Sequence, residues 1–133
     1  MSMTTDKPNL SGADSRTLAE EMVRILFAKN GTDIKLYAAT EDASFTDYHL
    51  LVSGRSSTHV KGMADGLEFE MEERGVFKRS MEGRDAGAWI LLDYYRVIVH
   101  IFDHESRAYY NLERLQNPDN LVDISALLVE QDD

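Results

Sequence analysis

The sequence predicts an α/β chain of the two-layer α+β kind: a mixed five-stranded sheet with helices packed on it. Three observations predict it. Two stretches repeat apolar residues at helical spacing, and five shorter stretches alternate or run apolar as strands do. The patterns follow the order α-β-β-α-β-β-β-α. At 133 residues the chain has the length of one domain, and it buries enough surface to fold without staples.

Residues 1–14 are polar, with Pro8 and Gly12, and read as a flexible tail ahead of a domain over 15–116. The first helix opens at Thr17-Leu18-Ala19-Glu20, which has the capping-box form. Leu18, Met22, Ile25 and Leu26 make its apolar stripe, and Asn30-Gly31 stops it as a left-handed cap does. A strand follows over 33–39, where Ile34, Leu36 and Ala38 alternate with polar neighbours. The stretch 48–53 is apolar on both sides, the mark of a more central strand.

After a turn at Gly54 comes the second helix, with Val60, Met63, Ala64, Leu67 and Met71 as its stripe and Gly75 as its end. Gly62 and Gly66 interrupt it, as glycines do where another backbone comes close. A short strand is expected over 76–80 and a loop over 82–87. The clearest strands, 89–92 and 97–102, are spaced as a hairpin through Asp93-Tyr94-Tyr95-Arg96. A last helix is expected over 105–115, with Tyr109, Leu112 and Leu115 inward, ended by Pro118. Residues 117–133 read as an acidic tail with one small apolar cluster.

Charge and composition exclude several functions. Fourteen Lys and Arg against 24 Asp and Glu give −10, so bulk attraction to nucleic acid is not expected, and a basic protein surface is the better partner. Without cysteine there is no disulfide, thiolate metal site or thiol nucleophile. No apolar run approaches the length of a membrane span, and the first ten residues lack a signal or transit pattern, so the expected address is the cytoplasm. No cofactor is expected.

Four constellations carry chemistry or its imitation. The strand–turn–helix at Ser53, Gly54, Arg55, Ser56 and Ser57 offers free N–H groups, hydroxyls and a guanidinium to an anion, or serves only to cap the helix. Glu68 and Glu70 alternate as a magnesium pair on a strand does, but they lie in a helical pattern, where residues two apart diverge by about 200°. His100 and His104 have metal-ligand spacing only on a helix, and His100 sits in a strand. Finally, Trp89, Tyr94, Tyr95, Phe102, Tyr109 and Tyr110 crowd into 22 residues beside Asp93, Arg96, Arg107 and Arg114, which fits core packing and a protein-binding hot spot alike.

Five stretches together resemble the ribosomal silencing factor (RsfS, or Iojap) family: Ser44-Phe45-Thr46-Asp47-Tyr48; Val52-Ser53-Gly54-Arg55-Ser56 with His59-Val60; Gly87-Ala88-Trp89-Ile90-Leu91-Leu92-Asp93-Tyr94; Val97 to Phe102; and Arg107 to Leu115. They cover about residues 16 to 115 in the family's order. The resemblance implies a fold related to the nucleotidyltransferases without their catalytic carboxylates, and no enzyme activity. It implies binding to the large ribosomal subunit at its fourteenth protein, so that the small subunit cannot join and translation falls when nutrients are short. It implies a homodimer when free. The partner-contacting positions then fall on Trp89, Asp93 and Tyr94, supported by His100, Tyr110 and Glu113. Two positions depart from the family pattern: Tyr95 stands where glycine is usual, and Gln116 where tryptophan is usual. The alternatives are a nucleotide-binding or nucleotidyltransferase-like enzyme working at the serine-rich turn, and an adaptor in large-subunit assembly.

Overall fold

A computed structural model describes residues 7–40 and 45–129. Helix α1 (Ser15–Ala28) starts two residues before the expected capping box, because Asp14 takes the cap and accepts the Thr17 N–H at 2.7 Å. Glu20 pairs instead with Arg16 at 2.8 Å. The helix buries Leu18, Met22, Ile25 and Leu26 as its spacing requires, together with Ala19 and Val23. It ends at Asn30 (φ 69°), where the Asn30 and Gly31 N–H groups return to Phe27 and Leu26 carbonyls. A Cβ at Gly31 would stand 2.6 Å from Val52, so only glycine lets the chain turn so close to the sheet.

Helix α2 (Ser57–Glu73) is capped by Ser56, whose hydroxyl accepts the His59 N–H, and it buries the five residues of its predicted stripe. Its glycines do not admit a neighbouring backbone. A Cβ at Gly62 would meet nothing within 4 Å among the described residues, and one at Gly66 would meet the Lys29 side chain first, at 2.6 Å. Gly62 is therefore a helix position with an entropic cost and no packing reason. Gly62→Ala is expected to stabilise the protein by about 1 kcal/mol, read as a melting temperature higher by about 3 °C.

Six strands form one sheet: β1 (Thr32–Ala38), β2 (Tyr48–Gly54), β3 (Ser80–Glu82), β4 (Trp89–Asp93), β5 (Val97–Asp103) and β6 (Leu121–Val122), in the order β3-β4-β5-β2-β1-β6. β2 runs parallel to β5, and the other pairings of the described residues are antiparallel. The central place of β2 follows from its two-sided apolar character. The sixth strand comes from the stretch read as a tail. Leu121 and Val122 pair with Tyr37 and Leu36, and Ile124 is buried behind them. Two residues are too few to show a strand period, which hid β6 in the sequence. At the other end, Leu10 packs on the core and its N–H donates to the Arg74 carbonyl at 2.8 Å. The remainder of both expected tails, residues 1–6 and 130–133, lies outside the described residues.

Two further expectations are corrected. Val76 is not in a strand. Its N–H closes the end of α2 on the Met71 carbonyl after Gly75 (φ 79°), and its side chain is buried there as the apolar residue of that cap. The strand starts instead at Ser80. The last helix, α3 (His104–Tyr110), stops at Asn111, whose left-handed backbone (φ 47°) re-aims the chain into a 3-10 turn over Leu112–Leu115. Tyr109 and Leu115 consequently face outward, 80% and 64% exposed, and Leu112 alone of the predicted trio turns in.

The main core lies between α1, α2 and one face of the sheet. Among the described residues no helix is long and apolar enough to cross a membrane.

Candidate partner-binding surface

Strand alternation places Trp89, Leu91 and Asp93 of β4 on the sheet face away from α1 and α2. Register then sets Phe102, His100 and Ile98 of β5 beside them, and Leu51 and His49 of β2 beyond. Among the described residues α3 and the turn after it cover one end of this face, where Leu112 packs with Tyr37, Leu51, Phe102 and Trp89. The rest is an open face of half-buried Leu91, Asp93, Ile98 and His49 above a buried His100.

Its rings form one connected cluster. The Trp89 ring stacks on Phe102 at 5.3 Å and meets Tyr110 at 4.8 Å. Its indole N–H donates to His100 Nδ1 at 3.3 Å, which puts the His100 proton on Nε2. His49 stacks on His100 at 5.8 Å. Burial, and next the nearby His49, push the His100 pKa down to about 3, and burial lowers that of His49. Both rings are therefore neutral at physiological pH.

Beyond the cluster lies a groove of about 770 Å³ over His49 and Ile98. Asp93 and Tyr95 line it from the β4–β5 hairpin, and Phe45 and Leu115 from the loops before β2 and after α3. The hairpin is tight. Arg96 N–H donates to the Tyr94 carbonyl at 2.7 Å around Tyr95, whose φ is 68°. Tyrosine thus occupies a left-handed position that glycine would take without strain. The Asp93 carboxylate accepts the Tyr95 N–H at 2.8 Å, and the Arg79 guanidinium stands 5.4 Å over the Tyr95 ring.

The six positions singled out in the sequence separate here. Trp89 and Asp93 are half-buried on the open face, His100 lies beneath it, and Tyr110 is exposed at its edge. Tyr94 does not belong with them: it is 3% exposed in the main core, because alternation after Asp93 turns it to the helix side. Burial first, then Glu68 and Glu72, raise its phenol pKa, and its hydroxyl has no hydrogen-bond partner among the described residues. Glu113 is engaged within the protein by Arg107. Sequence reasoning missed His49, Ile98, Phe45 and Leu115, which share a surface only through strand register and the break at Asn111.

The serine-rich turn serves the fold. The buried Ser53 hydroxyl accepts from Arg107 at 3.0 Å, and the Arg55 N–H donates to His59 Nδ1 at 2.9 Å. His59 Nε2 lies 2.8 Å from the Lys29 carbonyl, so this imidazole ties the start of α2 to the end of α1. A Cβ at Gly54 would stand 2.8 Å from the Met63 methyl. Glu68 and Glu70 lie within α2 and bind separate cations, Lys78 and Arg74. The described residues hold no group of three or more His, Asp or Glu placed to bind a metal ion.

A family model described as ribosomal silencing factor during starvation matches residues 12–133. The chain belongs to the RsfS family. The ribosomal silencing factor RsfS of Haemophilus influenzae is 35% identical over 98 residues, covering 74% of this chain and 96% of that relative. RsfS of Bacillus subtilis is 37% identical over 78 residues, 59% of this chain and 66% of the relative. A crystal structure of a Bacillus halodurans protein superposes with a TM-score of 0.71 at 29% identity, over 81% of this chain and 98% of that one. RsfS members are ribosomal silencing factors, not enzymes.

Proposed function

We propose that this chain silences translation in the cytoplasm by docking its open sheet face on the large ribosomal subunit, at the fourteenth protein of that subunit. The small subunit is then kept from joining. The observation that carries the reading is the uncovered half of the sheet: a ring cluster and a groove in the middle of six strands, left bare by both long helices. Trp89, Tyr95, Phe45 and Leu115 supply apolar anchors there, with Asp93 and Arg79 at hand for polar contacts. The net charge of −10 favours approach to a basic partner and speeds the encounter at low salt. Steric competition needs affinity alone and no bond chemistry.

Purified subunits sedimented with increasing amounts of the protein test this. Whole ribosomes are expected to give way to free subunits, with the protein travelling in the large-subunit fraction. Undiminished joining at saturating protein overturns the reading. Free of ribosomes, the chain is proposed to be a homodimer, which equilibrium sedimentation of the protein alone checks.

A further inference from the structure

We propose that Arg107 is the positioning residue of this docking surface: from beneath α3 it pins segment 104–117 to the sheet and so sets one wall of the groove. The inference rests on the open face being the subunit-binding surface.

Arg107 is 6% exposed and reaches three separate parts of the chain. Its Nη1 donates to the Asp33 carbonyl at 2.6 Å and to the Ser53 hydroxyl at 3.0 Å, at the ends of β1 and β2. Its Nε and Nη2 donate to the two carboxylate oxygens of Glu113 at 3.2 and 3.0 Å, a bidentate pair that only a guanidinium can form. Lys35 stands 3.7 Å from the same carboxylate. One side chain therefore joins α3, the turn after it, and the two strands beneath.

Apolar burial does only part of this work, through the partly buried Leu112. α3 has seven residues, below the length at which a helix stands on its own. Its one buried residue is Arg107 itself, and the Leu112–Leu115 turn buries none. Asn111 between them sits at φ 47°, the left-handed cap that asparagine takes more readily than other non-glycine residues, and it ends α3 without itself tying the turn to the sheet. The guanidinium is thus the segment's one buried tie to the strands among the described residues. What it presents is the wall: Tyr110 against Trp89, Leu112 over the Tyr37–Leu51–Phe102 cluster, and Leu115 and Gln116 in the groove. The main core on the opposite face of the sheet does not include Arg107, so it survives the loss of the clamp.

The test uses Arg107→Met, Arg107→Lys and Glu113→Gln, with the wild-type protein as the reference. Trp89 is the single tryptophan, so its emission reports the wall directly. All three clamp variants are expected to shift that emission to the red. They are also expected to speed hydrogen exchange at the Asn111, Arg114 and Gln116 amides by about tenfold or more, while β2 and β5 amides keep their protection. Affinity for purified large subunits is expected to fall about tenfold, Arg107→Lys giving no rescue. If Arg107→Met does not fold, Glu113→Gln, which keeps the shape and removes the charge, gives the same readouts. Unchanged emission and exchange overturn the positioning role. A loosened wall with unchanged affinity overturns its part in docking. Wild-type protein that fails to bind subunits overturns the reading of the face instead, and emission and exchange still decide whether Arg107 holds the wall.

Discussion

Ile98→Asp is expected to weaken binding to the large subunit about a hundredfold, or roughly 3 kcal/mol, while the protein still unfolds in one cooperative transition. Ile98 is half-buried on the open face, with His49 and Asp93 as its register partners to either side. A carboxylate there either keeps its water, which holds the partner off, or is desolvated beside the Asp93 carboxylate, which is costly. In the free protein it points away from the main core, so the cost to folding is about 1 kcal/mol, the span of strand propensity. Trp89→Ala is a poorer probe. Trp89 is packed between Phe102, His100 and Tyr110, and truncating it opens a hole at about 3 kcal/mol or more, mixing stability with affinity. A titration of labelled Ile98→Asp against purified large subunits, beside a urea melt, separates the two effects. Wild-type affinity in the variant would move the docking site off the groove.

The main layer of the fold was legible because its elements are long enough to show a period. All five predicted residues of the α2 stripe are buried, and the two-sided stretch 48–53 lies inside the sheet. What escaped depends on single residues or on distant pairing. Thr17 offered a cap that Asp14 takes one turn earlier, since both have the right chemistry and only tertiary position decides. Val76 read as strand because an apolar residue after a helix looks the same whether it closes the cap or pairs. Asn111 broke a helix that the spacing of Tyr109, Leu112 and Leu115 had extended to residue 115. β6 is fixed by its partner β1, and by Ile124 behind it, not by its own composition.

The surface was half legible for the same reason. The aromatic crowding between Trp89 and Tyr110 marked one face of the sheet, since five of its six aromatics lie on that face or at its rim. The sixth, Tyr94, shows the limit: adjacent tyrosines in a hairpin face opposite ways, and the sequence does not say which is inside. Glu113 and Arg107 were both read as surface charges, and their meeting beneath α3 is set by the break at Asn111. His49 comes beside His100 only once β2 is known to run parallel to β5.

Those two histidines are expected to make the fold lose stability in mild acid. Stability is expected to fall by about 2 to 3 kcal/mol between pH 7.5 and 4.5 through His100 alone. In the unfolded chain a histidine takes up its proton near pH 6.5; folded His100 does so only near 3. Between those values the unfolded state binds more protons, so acid draws the equilibrium toward it, at up to about 1.4 kcal/mol per pH unit. His49, also depressed by burial, adds in the same direction. Carboxylates held low by cations, Glu113 by Arg107 and Glu70 by Arg74, lose their contribution only as pH falls through the carboxylate range, below the start of the histidine window. Urea midpoints at pH 7.5, 6.5, 5.5 and 4.5 therefore isolate the histidines in the upper half of that range. His100→Gln keeps an acceptor for the Trp89 N–H and cannot titrate, so its profile is expected to be flatter above pH 5 by the His100 share. A slope unchanged in that variant would mean that folded His100 takes up its proton at the same pH as the unfolded chain. Its Nδ1 could then accept the Trp89 N–H only above that pH, and the ring cluster would lose this bond in mild acid.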